Sequence, residues 1–351
     1  MKPYRAIGIM SGTSMDGLDI AYCEFSERDG KWSFTLPCAI TVPYPEKWQK
    51  ILSLARYLNE LRMSHLSEAW ARMAAFHVNN FIRQYRLKPD FIASHGHTVF
   101  HQPEKQITLQ IGDGAVLSSE TGLKVVCDFR SQDVERRGQG APLVPVGDRY
   151  LFGEYDYCLN LGGIANISLE SDNKRIAFDI CACNIALNYL AGKARLAYDN
   201  KGETARSGKL NPVLLESLNA LTYFHQDPPK SLGIEWVERE MIPLLNKKIS
   251  IANRLQTVTE HIAIQISKAI GIYETKGTML ITGGGAYNNF LIERIQSHSP
   301  VKIVIPDKNI VEFKEAMVFA FLGLLRLRGE INVLSSVTGA VGDSCSGSIY
   351  G

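Results

Sequence analysis

At 351 residues, 45% hydrophobic and 21% charged, the chain has the make-up of a folded protein of about two domains, which excludes a disordered or collagen-like chain. Lys+Arg number 38 against 36 Asp+Glu, a formal net charge of +2, so there is no broad electrostatic footprint for nucleic acid or an anionic membrane. The longest apolar stretch, 316–325, is about half a membrane span, and the first apolar run, 6–10, is too short for a signal-peptide core; a cytoplasmic location with no membrane partner is expected.

In chain order, 5–10, 18–25 and 32–40 read as strands, short and apolar or alternating. Helical patterns follow at 45–58 and 64–87. In the second, Leu66, Ala69, Trp70, Met73, Phe76, His77, Asn80 and Phe81 recur at three- and four-residue steps, with Ser64 as the expected cap. Strands are expected at 91–94 and 124–129. The second half repeats the order: strands at 157–161, 164–169 and 175–179, then helices near 185–196, 211–221, 235–245 and 251–274. A strand at 278–282, a helix at 288–297, a strand at 301–305 and a helix at 314–328 complete the pattern.

The tail, 345–351, is small and polar and is expected to be loosely held. Strands followed by helices and further buried strands, twice over, predict an α/β fold with mixed sheets. Two units then imply domains 1–142 and 143–351, divided near Pro142–Pro145, with a cleft between them. Seven cysteines are a poor disulfide framework, and Cys181 and Cys183 lack the C-x-x-C spacing of zinc or redox sites.

Three glycine-rich turns stand out. The first runs Gly12-Thr13-Ser14-Met15-Asp16-Gly17-Leu18-Asp19, where small residues leave backbone N–H groups accessible to an anion, and Asp16 and Asp19 suit Mg²⁺. The second holds Gly162 and Gly163. The third, Gly283-Gly284-Gly285 leading to Asn288, opens a helix whose start favours negative charge. Each taken alone also reads as a tight hairpin or a helix entry. None is a Walker A loop or a G-x-G-x-x-G. Asp179, at the expected end of a strand, suits a general base and equally a helix cap. His95, His97 and His101 project to one side of an extended segment and suit either zinc or hydrogen bonding.

The paired hairpins resemble the actin, sugar-kinase and heat-shock-ATPase superfamily. Within it, MSGTSMDGLD (10–19) resembles the anhydro-N-acetylmuramic acid kinase family. So do SHGHTVFHQP (94–103), TLQIGDGAVL (108–117), DFRSQDV (128–134), GQGAPLVP (138–145), LNLGGIANIS (159–168), PPKSLG (228–233), ITGGGAYNNF (281–290), EAMVFAFL (315–322) and SVTGA (336–340). The resemblance implies two ribonuclease H-like domains. It implies ATP and Mg²⁺, a sugar substrate from cell-wall recycling, and Asp179 as the base that activates water. Gly12–Asp19, Gly162, Gly163, Gly283–Gly285 and Asn288 would bind nucleotide, and Asp16 and Asp19 the metal.

His97, Thr98, Arg130 and Glu315 would face the sugar, Arg130 by a bidentate grip on its carboxylate. Arg130 also reads as a surface ion pair, and Glu315 as a favourable first-turn acid. A homodimer is compatible with the resemblance. Three departures from the family pattern are visible: Ile180–Cys183 where T-G-P-G is usual, His97 for Gln, and Arg137 for Gly. A sugar kinase acting on an ordinary hydroxyl and a non-catalytic ATP-switched binding module remain as alternatives.

Overall fold

The computed structural model describes residues 2–12, 14–246, 248–273 and 276–351. Two compact units emerge: Met1–Phe152 with Phe313–Gly351, and Gly153–Glu312.

The first unit is built on a seven-stranded mixed sheet. β1 (Tyr4–Ser11), β2 (Gly17–Arg28) and β3 (Lys31–Pro43) form an antiparallel meander. β4 (Phe91–Gln102) pairs parallel to β1, and β6 (Lys124–Cys127) parallel to β4. β5 (Ile107–Ile111) folds back on the end of β4. The helix Glu60–Tyr85 covers one face and buries Leu66, Trp70, Val78 and Phe81. Asn59, and not Ser64, caps it, accepting from the Arg62 N–H at 3.0 Å. Phe76, expected on the apolar face, is 60% exposed, because the stripe facing the sheet runs through Ala71, Ala74 and Ala75 instead.

The other face is covered by the later part of the helix Lys308–Arg328. Gly8 lets that helix reach the sheet, since a Cβ there would collide with the Ala316 carbonyl. This helix starts six residues before the expected one.

The second unit repeats the plan. β7 (Tyr157–Leu161), β8 (Ile164–Ser171) and β9 (Lys174–Ala182) form an antiparallel meander. β10 (Thr278–Thr282) lies parallel to β7, and β11 (Lys302–Val304) parallel to β10. The sheet order β3-β2-β1-β4-β6 in one unit therefore equals β9-β8-β7-β10-β11 in the other. This is the ribonuclease H-like plan expected. The helix Ile251–Gly271 buries Leu255, Val258, Ile262 and Ile266 against this sheet.

Two further expectations differ from the structure. The division at 142/143 does not match the units, because 143–152 and 313–351 group with the first. The helix Val144–Leu151 packs on β3, Phe152 sets its ring edge-on to Phe34, and Asp148 pairs with Lys314 at 2.6 Å in a buried ion pair. The tail is also ordered: β12 (Ser348–Tyr350) adds antiparallel to β6. Its backbone groups are satisfied by the open edge of the sheet, which a reading of polarity alone does not show.

Candidate active site

The first glycine-rich turn joins β1 to β2. Thr13 lies outside the described residues. Met15 takes a left-handed φ of 56°, and its N–H closes the turn on the Gly12 carbonyl at 3.2 Å. Ser14 Oγ donates to Asp16 Oδ1 at 2.8 Å, and Thr41 Oγ1 donates to Asp19 Oδ1 at 2.6 Å. Gly17 is already inside β2, pressed against Val42, and the Leu18 side chain is fully buried in the core. Leu18 therefore serves packing, and Gly12, Ser14 and Asp16 form the solvent-facing turn.

Burial and the nearby charges of Asp19 and Asp16 push the Tyr44 phenol up to about 12. Two carboxylates supply hard oxygens to a cation. Among the described residues no group of three His, Cys, Asp or Glu is placed to hold a metal. That donor set fits Mg²⁺, which takes one or two carboxylates and completes its shell with water and phosphate oxygens.

Ser11, at the end of β1, sits opposite His97 on β4. A buried chain runs through it: the Trp70 indole N–H donates to Tyr44 Oη at 3.0 Å, Tyr44 Oη meets Ser11 Oγ at 2.8 Å, and Ser11 Oγ meets His97 Nδ1 at 2.9 Å. Burial lowers His97 to about 4, so it is neutral near pH 7. The other two imidazoles have different partners. His95 accepts on Nε2 from Arg130 Nη2 at 2.9 Å and faces the Gly96 carbonyl with Nδ1; His101 Nδ1 meets Thr108 Oγ1. The three rings thus do not converge as a zinc set.

Arg130 gives Nε and Nη2 to His95 and Nη1 to the Gly140 carbonyl. Three of its five N–H donors are thus used within the protein, and the Nε/Nη2 edge faces His95. Burial lowers it to about 10, with Glu315 and Asp133 opposing, and it stays charged at neutral pH. Glu315 keeps solvent exposure, yet surrounding protein raises its carboxyl above the usual range, against Arg130 and Lys314. Thr98 Oγ1 accepts from Gln110 Nε2 at 3.4 Å.

Asp133, which the sequence offers only as one alternative surface ion-pair partner of Arg130, has no exposed surface. It accepts from the Gly140 N–H and from Thr338 Oγ1, each at 2.8 Å. Three of the quoted motifs, DFRSQDV, GQGAPLVP and SVTGA, meet at this one carboxylate.

In the second unit, Asp179 lies within β9, opposite Asn166, and not at its end. Ile180–Cys183, the stretch that departs from the usual T-G-P-G, continue the strand to Ala182 and are at most 3% exposed. The two cysteines pack as small core residues, and burial drives both thiols up. Asp179 Oδ2 accepts from the Leu232 N–H at 2.9 Å and from Ser231 Oγ at 3.1 Å. Burial raises its carboxyl above the ordinary range, and those two donors hold the rise back.

The pairing of β7 with β10 brings the second and third turns together. Gly283, at φ +82°, and Gly285 rest on Asn160 and Leu161 so closely that a Cβ would collide with them. The carbonyls of Gly162 and Gly163 take the first N–H groups of the helix Asn184–Lys193. Asn288 caps the helix Asn289–His298 through Leu291 N–H at 3.0 Å. Beside them opens a cavity of about 390 Å³, lined by Asn184, Asn188, Tyr198, Lys201, Gly284 and Asn288 among others. Its polar walls and glycine floor suit a nucleoside.

Two units of one topology, each with a glycine turn after its first strand, and one with a nucleoside-sized cavity and a half-buried carboxylate, define a nucleotide-using sugar kinase. A family model described as "Anhydro-N-acetylmuramic acid kinase" matches residues 4–351, and the chain belongs to that family. It is similar to the anhydro-N-acetylmuramic acid kinase of Pseudomonas fluorescens (strain Pf0-1), 36% identical over 364 residues and 98% of each chain. It is also similar to that of Sulfurovum sp. (strain NBC37-1), 34% identical over 371 residues and 100% of each chain. Among solved structures, an activator of the 2-hydroxyisocaproyl-CoA dehydratase from Clostridium difficile with bound ADPNP has a TM-score of 0.48 at 12% identity, over 92% of this chain and 97% of that one. Among the described residues no helix is long and apolar enough to cross a membrane.

Proposed function

We propose that the chain phosphorylates 1,6-anhydro-N-acetylmuramic acid with ATP while water opens the anhydro ring, giving N-acetylmuramic acid 6-phosphate and ADP in the reuse of cell-wall sugars. Family membership over nearly the whole chain supports the substrates. The observation that carries the mechanism is Asp179, a half-buried carboxylate with a raised pKa and one oxygen without a partner among the described residues.

A 1,6-anhydro sugar has no free 6-hydroxyl to phosphorylate. Asp179 takes a proton from water as the water oxygen bonds to C1. The C1–O6 bond breaks with its electron pair going to O6, and O6 attacks the γ-phosphorus of ATP as ADP leaves. The cavity beside Gly284 receives the adenosine. Gly12, Ser14, Gly162 and Gly163 offer backbone amides to the phosphates. Asp16 and Asp19 would hold Mg²⁺, which neutralises charge on phosphate oxygens. His97, Thr98 and Glu315 contact the sugar, and Arg130 sets the charge around Glu315.

The test is turnover in ¹⁸O water. Label at C1 of the phosphorylated product is expected. A product without label shows transfer to an existing hydroxyl and overturns the reading.

A further inference from the structure

Asp179 is held at four points by one stretch of the second unit. Tyr223 Oη donates to the Asp179 carbonyl at 2.7 Å, and the Asp179 N–H donates to the Lys230 carbonyl at 3.0 Å. These fix the main chain. Leu232 N–H and Ser231 Oγ then both donate to the same carboxylate oxygen, Oδ2. Oδ1 has no hydrogen-bond partner among the described residues.

The stretch is itself braced. Lys230 Nζ donates to the carbonyls of Tyr223 and Gln226 at 3.2 and 2.9 Å and lies 4.8 Å above the Tyr223 ring. Tyr223 and Phe224 both pack on Trp236, and Phe224 also meets His261 edge-on. The donors that reach Oδ2 therefore come from a fixed scaffold.

The two oxygens of a carboxylate are equivalent until neighbours distinguish them. A proton arriving at Oδ2 displaces donors already aimed there, and a proton arriving at Oδ1 leaves both in place. We propose that Ser231 and the Leu232 amide are positioning groups that occupy Oδ2, so that Oδ1 is the atom of Asp179 that accepts the proton of the attacking water. This rests on the reading of Asp179 as the general base. Atoms balance as in the proposed reaction: one water O–H bond breaks, the Oδ1–H bond forms, and the water oxygen goes to C1. Ser231 touches neither water nor sugar in this account and acts only through Asp179.

The experiment uses the full chain with ¹³C-labelled aspartate carboxyls, the Asp179 signal being assigned by its loss in Asp179→Asn. Ser231→Ala removes one donor and Ser231→Thr keeps it. In Ser231→Ala the Asp179 titration and the acidic limb of kcat/KM for the sugar are expected to rise together by roughly half a pH unit or more. kcat should fall several-fold while KM for ATP stays unchanged, and Ser231→Thr should restore both. A Ser231→Ala titration that superimposes on the parent, or a Ser231→Thr that behaves like Ser231→Ala, overturns the assignment of Ser231. Full turnover by Asp179→Asn, with the titration still displaced in Ser231→Ala, overturns the base reading instead.

Discussion

Ser11 Oγ stands 2.9 Å from His97 Nδ1 and 2.8 Å from Tyr44 Oη, coupling the end of β1 to a histidine on the neighbouring strand β4. Trp70 donates to the Tyr44 oxygen and accepts nothing, so the phenol proton goes to Ser11 and the Ser11 proton to His97 Nδ1. His97 is then the Nε2–H tautomer. Two-dimensional ¹H–¹⁵N spectra of the imidazoles at pH 7 should show His97 neutral with its proton on Nε2. A proton on Nδ1 would reverse the chain.

Burial lowers His97 to about 4 and His261 to about 3, and His95 falls well below its ordinary 6.5. A lowered folded-state pKa means that the unfolded chain binds more protons, so stability rises with pH. The contribution is complete above about 6.5 and is lost as pH falls from there toward 4. Urea midpoints measured between pH 7.5 and 5 should fall on acidification. His261→Asn, which removes one of the three groups, should flatten that slope.

Gly283 and Gly284 separate folding from binding. Gly283→Ala puts a side chain at φ +82° against Asn160 and Leu161, and should cost about 1–3 kcal/mol in stability by thermal or urea unfolding. At Gly284 nothing lies nearer than 3.8 Å to a Cβ. Gly284→Ala should keep its stability within about 0.5 kcal/mol and still weaken ATP-analogue binding by calorimetry, because the methyl enters the cavity. Unchanged affinity in Gly284→Ala would remove this cavity from the nucleotide site.

Asp16 and Asp19 were assigned to the metal on donor chemistry. Asp16→Asn should raise the Mg²⁺ concentration that half-saturates turnover at least several-fold, and leave binding of metal-free ADP nearly unchanged. Equal loss in both measurements would make Asp16 a turn residue only.

Trp70 is fully buried and opens the relay to Ser11. Trp70→Ala should cost about 3–5 kcal/mol, a cavity penalty. Tyr44→Phe leaves the Trp70 N–H without its acceptor and should cost about 1–3 kcal/mol. If Tyr44→Phe changes neither stability nor the His97 spectrum, the chain is not coupled.

Much of this was legible in residue order. Alternating and apolar runs gave both meanders, since a strand's two-residue period and a helix's 3.6-residue period are written locally. The glycine turns and Asp179 stood out by composition, and the motif resemblance carried the family. The sequence did not show that Arg130 donates to His95 and Gly140, nor that Ile180–Ala182 belong to a buried strand. It also gave no hydrogen-bond partners for Ser11, Tyr44, Trp70, Asp133 and Ser231. Most of their partners lie 26 to 205 positions away along the chain, as between Tyr44 and Trp70 or Asp133 and Thr338. Periodicity reports which side chains share a face. Which donor meets which acceptor depends on strand register and on helices laid over the sheet, so only the folded chain decided that one amide and one hydroxyl donor would reach one oxygen of Asp179 and, among the described residues, none the other.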